Sequence, residues 1–233
     1  MRSPDNSLPA DVRVICGAMG SGKSEGLKKV LRTEKNVFVM DVKNEYGQLP
    51  GFRVANTRAD LVKAAKAGGR WAYPATGQIE FDYWCRVVWA RGNCFAIAEE
   101  LASLTTTAKA SGAWHLICTQ GRGYGIRVAG ITQRPAEIDK TIIGNASTFR
   151  VHRLSRADDR RYMARELDVH QHYLDRLEGF DFIERTLSPA ALVLVTGKGT
   201  RSPLRRLGDL DPTRNAGPAP AGKGRKNPVT GRR

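Results

Sequence analysis

Short apolar runs alternate along the chain with segments whose apolar residues recur every three or four positions. The runs have strand length and lie at residues 12–15, 36–40, 94–98, 126–131 and 148–154, with later runs at 180–187 and 192–195. Residues 79–83 alternate between apolar and polar and predict a further short strand. Helices are predicted over residues 23–31, 58–67, 83–91, 113–120, 135–143, 156–167 and 170–177. Strands alternating with helices predict an α/β fold with a mainly parallel central sheet flanked by helices.

The composition divides the chain into three parts. Residues 1–10 are a polar lead-in that contains proline, and residues 11–200 carry the alternating pattern of one domain. Residues 201–233 are rich in Pro, Gly, Lys and Arg, so we predict a basic tail that is disordered from about residue 208. The longest apolar run, residues 190–195, suits a buried strand and is too short to span a membrane. We therefore expect no transmembrane segment.

The charge balance points to a polyanionic partner. The 233 residues include 38 Lys and Arg against 23 Asp and Glu, a formal charge of +15. The tail contributes nine basic residues against two acidic ones, so the remainder is also basic. Such a balance favours nucleic acid or an anionic membrane surface. The four cysteines show neither a CxxC motif nor a pairing with histidine, which predicts reduced, structural cysteines and no zinc site.

A phosphate-binding motif joins the first predicted strand to the first predicted helix. Residues 17–24 read G-x-x-x-x-G-K-S, the P-loop pattern, in which glycines let backbone N–H groups face a phosphate at the positive end of a helix. Lys23 is predicted to reach the β- and γ-phosphates of ATP, and the Ser24 hydroxyl to bind Mg²⁺. The alternative is a glycine-rich turn with an incidental lysine. The predicted ATP-binding residues are Gly17, Ala18, Met19, Gly20, Ser21, Gly22, Lys23 and Ser24.

Two adjacent acids follow the apolar run at residues 94–98. ATP hydrolysis needs a carboxylate near Mg²⁺ and another that orients the attacking water, and we expect both at the end of a strand next to the P-loop strand. Glu99 is predicted to hold Mg²⁺ and Glu100 to polarise the water. The alternative is a pair of solvated acids at a helix start. Gln133, after the run at residues 126–131, is predicted to sense the γ-phosphate, unless it is only a turn residue before Pro135.

Together these motifs resemble the HerA/FtsK superfamily of DNA-pumping ATPases. The P-loop is followed by Asp-Val-Lys-Asn-Glu-Tyr at residues 41–46 and by the acid pair. Gly-Arg-Gly-Tyr-Gly-Ile at residues 121–126 then precedes a strand that ends in Thr-Gln-Arg-Pro at residues 132–135. The resemblance covers roughly residues 12–154. It implies a RecA-like core, a homo-oligomeric ring that is commonly a hexamer, and translocation of double-stranded DNA.

The resemblance also implies roles for individual residues. Arg122 matches the position that we assign to an arginine finger, which would act on the ATP of a neighbouring subunit. The alternatives are that Arg122 contacts DNA or caps a loop. Arg150 and Arg153 are rival finger candidates. The sequence departs from the family pattern at Glu99, where the first acid is usually Asp, and it lacks any added domain.

The length of the chain selects a branch of this superfamily. Compact members of about this size resemble the genome-packaging ATPases of tailless, internal-membrane viruses of the tectivirus type. The leading hypothesis is therefore a viral motor that uses ATP and Mg²⁺ to pump double-stranded DNA into a preformed capsid. It would contact capsid or portal-vertex proteins and work in the host cytoplasm or at the packaging vertex of the virion. Alternatives are a plasmid or cellular DNA translocase, a filamentous-phage assembly ATPase, a P-loop small-molecule or nucleotide kinase, and a structural DNA-binding protein.

Overall fold

The computed structural model describes residues 3–5, 7–108 and 111–207. Within these residues the strands, numbered in chain order, are β1 Val12–Cys16, β2 Val37–Met40, β3 Arg53–Val54, β4 Arg70–Tyr73, β5 Cys94–Ala98, β6 Ile126–Thr132, β7 Thr148–His152, β8 Phe182–Leu187, β9 Ala190–Val195 and β10 Arg201–Pro203. The helices are α1 Lys23–Leu31, α2 Arg58–Ala67, α3 Gln78–Arg91, α4 Leu101–Leu104, α5 Gly112–Gln120, α6 Lys140–Asn145, α7 Ala157–Leu167 and α8 His172–Asp175. Three 3₁₀ turns lie at Tyr46–Gln48, Gly121–Tyr124 and Pro135–Glu137.

All of these strands belong to one sheet, in the order β10-β9-β8-β7-β1-β6-β5-β2-β4-β3. The seven neighbouring strands β7, β1, β6, β5, β2, β4 and β3 are all parallel. β8, β9 and β10 continue the sheet beyond β7 as antiparallel strands. The predicted mixed α/β fold with a mainly parallel central sheet is confirmed. β10 lies in the segment that composition assigned to the tail. Residues 208–233, predicted to be disordered, lie outside the described residues.

The neighbour of the P-loop strand differs from the prediction. We expected the acid-bearing strand β5 to lie next to β1, but β1 pairs with β6 and β7, and β6 separates it from β5. β6 lies later in the chain than both of its neighbours, so local sequence spacing could not reveal its position. As a result the ends of β1, β6 and β5, which carry the P-loop, Gln133 and the acid pair, follow one another along the sheet.

The central strands are apolar on both faces because helices cover both sides of the sheet. Every residue of β2 and β5 is buried. One face packs against an aromatic cluster in which Phe81 lies 5.8 Å from Trp84 and 5.1 Å from Trp114 between ring centroids. The opposite face packs against α1 through Leu27 and Leu31. This packing fixes the strands whose ends carry the candidate site.

The strand predicted at residues 79–83 is wrong, because these residues form the first turns of α3. Phe81, Trp84, Cys85 and Val88 are buried at helical spacing, whereas Ile79 is 75% exposed. Gly77 and Gly92, both with positive φ, flank the helix. The local alternation was a coincidence of charged residues on the exposed face. The short strands β3 and β4 were not predicted because β4 carries only three apolar residues and β3 only one.

The helix predicted over residues 135–143 is interrupted. Its first part is a 3₁₀ turn, Ile138 is extended, and α6 begins after Asp139. The Asp139 carboxylate caps α6 by accepting a hydrogen bond from Thr141 N at 2.9 Å, and it accepts another from Trp114 Nε1 at 2.9 Å. A buried cap therefore replaces one helical turn.

The structure also shows the state of the cysteines and the lengths of the apolar helices. Cys16, Cys85, Cys94 and Cys118 are all buried and free. Among the described residues, no helix is both long enough and apolar enough to span a membrane.

Candidate nucleotide-binding site

The P-loop lies between β1 and α1 and is tied to the strands on both sides. Gly17 N donates at 3.2 Å to the carbonyl oxygen of Thr132, the last residue of β6, and Ala18 N donates at 2.7 Å to the carbonyl oxygen of Arg153, which follows β7. A Cβ on Gly17 would lie 2.6 Å from both His152 Cβ and Ser21 Oγ, so only glycine fits there. Gly22, with φ +90°, precedes α1, and no side chain among residues 3–5, 7–108 and 111–207 caps the helix. The loop therefore presents uncapped backbone N–H groups of the kind that bind phosphate.

Lys23 is folded over the P-loop. Its Nζ donates to Gly17 O at 2.6 Å and to Ala18 O at 2.8 Å, and the side chain is buried. Burial lowers the pKa of Lys23, and the positive charge of Lys43 adds to the effect. The ammonium group thus lies inside the loop, where an anion would relieve an unfavourable environment.

Glu100 is held by two side chains from neighbouring strand ends. Lys43 Nζ lies 2.9 Å from Glu100 Oε2, and Gln133 Nε2 donates to the same oxygen at 3.0 Å. Burial acts to raise the pKa of Glu100, but the hydrogen bonds from Lys43 and Gln133 outweigh it, so the pKa is lowered. Glu100 adopts left-handed backbone angles, φ 50° and ψ 52°, which are uncommon for residues other than glycine and cluster at functional sites.

Glu99 lies in a different environment from Glu100. Its side chain is buried, and Oε2 has no hydrogen-bond partner among the described residues. Burial raises the pKa of Glu99 to about 7, and the nearby carboxylates of Glu45 and Asp41 contribute in the same direction. Asp41 is itself occupied, because it accepts hydrogen bonds from backbone N–H groups that include Tyr46 N at 2.9 Å. Glu99 is thus a buried carboxylate with a free oxygen, and Ser24 lies in the first turn of α1.

The three candidate finger arginines lie in three places. Arg122 lies in the 3₁₀ turn before β6, at the opposite edge of the sheet from the P-loop. Arg150 is on β7 and pairs with Glu184 at 2.5 Å. Arg153 follows β7 beside the P-loop, and its side chain is exposed. Within one chain, therefore, Arg122 cannot reach the P-loop.

Two residues of the site were not singled out from the sequence. Lys43, which lies in the motif at residues 41–46, pairs with Glu100, and His152, the last residue of β7, lies against the P-loop. Both lie at or just after the carboxyl end of a parallel strand, and such positions line the ligand crevice of this architecture. That rule is the signal that could have identified them. Arg134 is instead structural, because it pairs with the buried carboxylate of Asp159 at 2.9 Å.

Together these residues form a site for a polyphosphate next to a fixed carboxylate. The uncapped helix N-terminus and Lys23 supply positive charge, and the Glu100–Gln133 pair lies at the ends of the next two strands. Such an arrangement can bind phosphates and orient a water molecule.

Comparison with known proteins supports this interpretation of the fold. No family model matches the chain. Among solved structures, the genome packaging NTPase B204 from Sulfolobus turreted icosahedral virus 2, in complex with AMPPCP, superposes with a TM-score of 0.67 at 16% identity over 84% of this chain and 99% of that chain. The cytoplasmic domain of the Thermomonospora curvata type VII secretion ATPase EccC matches with a TM-score of 0.52 at 15% identity, covering 94% of this chain and 30% of that one. The predicted α/β P-loop fold is therefore confirmed, and in fold the chain is similar to a viral genome packaging NTPase, as the resemblance implied.

A phage protein is similar in sequence as well. Protein P9 of Pseudoalteromonas phage PM2 is 33% identical over 181 residues, which cover 75% of this chain and 83% of Protein P9. At this identity and coverage the similarity extends through most of the domain, and the chain belongs to the family of Protein P9 of phage PM2.

Proposed function

We propose that the chain is an ATPase that pumps double-stranded DNA into a preformed viral capsid, as one subunit of a homo-oligomeric ring, most simply a hexamer. The observation that carries the ATPase part is the convergence of Lys23, Gln133 and Glu100 at the ends of three successive strands, β1, β6 and β5. A phage relative and a fold shared with a protein described as a genome packaging NTPase support the packaging part.

Each residue of the site has a role in this proposal. The P-loop N–H groups and Lys23 bind the phosphates of ATP. Glu100 is kept ionised by its lowered pKa, and it orients and polarises the attacking water, while Gln133 contacts that water or the γ-phosphate. Lys43 holds the Glu100 carboxylate in place.

The oxygen donors of the site fit Mg²⁺. Ser24 offers a hydroxyl and Glu99 a buried carboxylate oxygen without a partner, and Mg²⁺ prefers such hard oxygen ligands. When bound, the ion would neutralise charge on the phosphate oxygens.

The position of Arg122 supports a role across a subunit boundary. β6 has seven residues and separates Arg122 from Gln133, a distance of roughly 23 Å at the usual rise of a strand. Arg122 is exposed at its edge, and we propose that it reaches the ATP of a neighbouring subunit in the ring. There its guanidinium group would stabilise the charge of the transition state.

The partners follow from charge. A formal charge of +15 supports contacts to DNA phosphates that do not depend on base sequence. The motor would act in the host cytoplasm and at the packaging vertex, against capsid or portal proteins. The phage relative favours this viral role over a plasmid or cellular translocase.

The experiment is steady-state ATP hydrolysis with and without linear double-stranded DNA, at several salt concentrations. We expect Mg²⁺-dependent hydrolysis that DNA stimulates, with a stimulation that weakens as salt rises. Removing residues 208–233 deletes six basic and two acidic residues, so it should raise the DNA concentration needed for half-maximal stimulation and flatten its salt dependence. Hydrolysis that DNA does not change would contradict the translocase proposal while leaving the ATPase proposal in place.

A further inference from the structure

A cavity opens beside the P-loop, on the side away from Glu100. It has a volume of about 460 Å³, and its lining includes Gly22, His152, Phe180, Phe182, Gly197 and Gly199. Gly22 belongs to the P-loop, so this cavity is continuous with the phosphate site. The volume lies within the usual range for pockets that bind small molecules, roughly 300–1,000 Å³.

Phe180 forms an exposed aromatic surface at the mouth of this cavity. Its side chain is 61% exposed, although most large apolar side chains of the described domain are buried. Its Cδ1 lies 3.0 Å from where a Cβ on Gly22 would be, and its Cβ lies 3.3 Å from the corresponding point on Gly197. The ring therefore lies between the P-loop and the loop after β9.

His152 lines the inner wall of the same cavity. The residue is 3% exposed, its ring lies 5.0 Å from that of Phe182, and the backbone of Ser21 is close enough to favour the protonated ring weakly. Neither ring nitrogen, however, makes a hydrogen bond of ordinary geometry to the described part of the chain. Burial, together with the charges of Arg150 and Lys23, lowers the pKa of His152 to about 4. At neutral pH the uncharged ring thus offers one donor and one acceptor.

Hydrogen bonds fix the conformation of the loop after β9, residues 196–200. Thr196 N donates to Thr200 O at 2.9 Å and Gly199 N donates to Thr196 O at 2.7 Å. Gly197 N donates to Asp181 Oδ1 at 2.8 Å, which ties the loop to the residue after Phe180. The loop after β9 and Phe180, which both line the cavity, are therefore held close to each other.

We propose that this cavity binds the base and ribose of the nucleotide whose phosphates lie in the P-loop, with the base stacked on Phe180 and with His152 available to a polar group of the nucleoside. This inference rests on the proposed function. Continuity with the P-loop decides the occupant, because a nucleotide held by its phosphates at Gly22 must extend from there. The charge distribution agrees, since Arg150 on this wall is already neutralised by Glu184 and the aromatic surface suits the uncharged part of a nucleotide.

The test separates the nucleoside from the phosphates by using two ligands. Binding of ATP and of inorganic tripolyphosphate is measured by calorimetry for the wild type, Phe180→Ala and Phe180→Trp. Phe180→Ala should weaken ATP binding about tenfold, close to 1.4 kcal/mol, and leave tripolyphosphate binding unchanged. Phe180→Trp, which keeps a stacking surface, should retain ATP affinity. Leu187→Ala is the matched control, since Leu187 is 50% exposed at the far end of β8, and it should change neither affinity.

Each outcome decides the matter. Equal weakening of both ligands in Phe180→Ala, or no weakening of ATP, would overturn the nucleoside site even if the wild type binds ATP tightly. A wild type that binds neither ligand, or a Lys23→Ala variant that binds both normally, would overturn the proposed function and this inference together.

Discussion

The amino ends and the carboxyl ends of the central parallel strands, which we call the amino edge and the carboxyl edge, use their charged groups differently. At the amino edge the charges pair with one another: Arg127 Nη1 donates to Glu34 Oε1 at 2.9 Å, and Arg13 Nε donates to Asp11 Oδ1 at 2.6 Å. At the carboxyl edge Lys23 donates to two carbonyl groups of its own loop, and buried atoms of Glu99 and His152 lack partners within the described part of the chain. Arg70 Nε, at the start of β4, also lacks a partner among the described residues, so the difference lies in the carboxylate and imidazole atoms that are left without partners at the carboxyl edge.

This difference distinguishes the charged groups that stabilise the fold from those that are available to a ligand. A buried polar group without a partner costs roughly 1–3 kcal/mol, so the carboxyl edge is a net cost to the free chain. A bound nucleotide and cation would supply the missing partners. At the amino edge Arg122 is exposed and makes no ion pair within the described residues. We propose that it completes the carboxyl edge of a neighbouring subunit.

Local sequence was sufficient to predict what depends on local structure. The P-loop and α1 lie where the motif placed them, since a strand, a phosphate-binding loop and a helix are contiguous in the chain. β5 and its two acids were also predicted from one apolar run. The different environments of Glu99 and Glu100, in contrast, depend on Asp41, Lys43 and Gln133, which follow other strands, β2 and β6.

Features that depend on long-range pairing could not be predicted. The insertion of β6 between β1 and β5 and the contact of His152 with Gly17 join segments far apart in sequence. α3 was partly misread because Glu80 and Asp82 gave its exposed turn a strand-like alternation. A buried helical face becomes visible only when Trp84 and Val88 are counted with Phe81.

The largest expected effect comes from removing the ammonium group of Lys23. Lys23→Ala should abolish measurable ATP turnover and strongly weaken ATP binding, because Lys23 is the ammonium group inside the P-loop. Lys28→Ala, on the exposed face of the same helix, is the control and should hydrolyse ATP at the wild-type rate. Normal turnover by Lys23→Ala in a phosphate-release assay would show that ATP is not hydrolysed at the carboxyl edge.

A smaller effect is expected from neutralising the fixed carboxylate. Glu100→Gln should lower kcat about 10²-fold or more while ATP still binds, because the amide keeps the size of the side chain but cannot polarise water. Rapid-quench kinetics and equilibrium binding measure the two quantities separately. Glu137→Gln, an exposed partner of Arg134, should leave both unchanged. Loss of ATP binding in Glu100→Gln, with kcat preserved at saturation, would assign Glu100 to binding.

The smallest effect concerns stability and tests whether His152 is an unpaired buried group. Its pKa of about 4 in the folded chain lies below the ordinary value of 6.5, so between these values the unfolded chain binds more protons and stability falls as pH decreases. Relative to His152→Gln, the wild type should lose about 3 kcal/mol of unfolding free energy between pH 7 and pH 4. Denaturant titrations at each pH measure this difference.

The control for this prediction is the exposed histidine His115. His115→Gln should follow the wild-type pH dependence. If the unfolding free energies of the wild type and His152→Gln change with pH in parallel, His152 is protonated equally in the folded and unfolded chains. It would then not be a buried group that lacks a partner.

The claim that the two edges complete each other across a subunit boundary is tested most directly by mixing two inactive variants. Arg122→Ala and Glu100→Gln subunits are each assembled alone and then together, and ATP hydrolysis is measured after mass spectrometry has verified mixed rings. If Arg122 acts on a neighbour, some boundaries in a mixed ring pair an intact Glu100 site with an intact Arg122, so the mixture should hydrolyse ATP well above the sum of the two variants. Verified mixed rings whose activity does not exceed that sum would contradict the shared site.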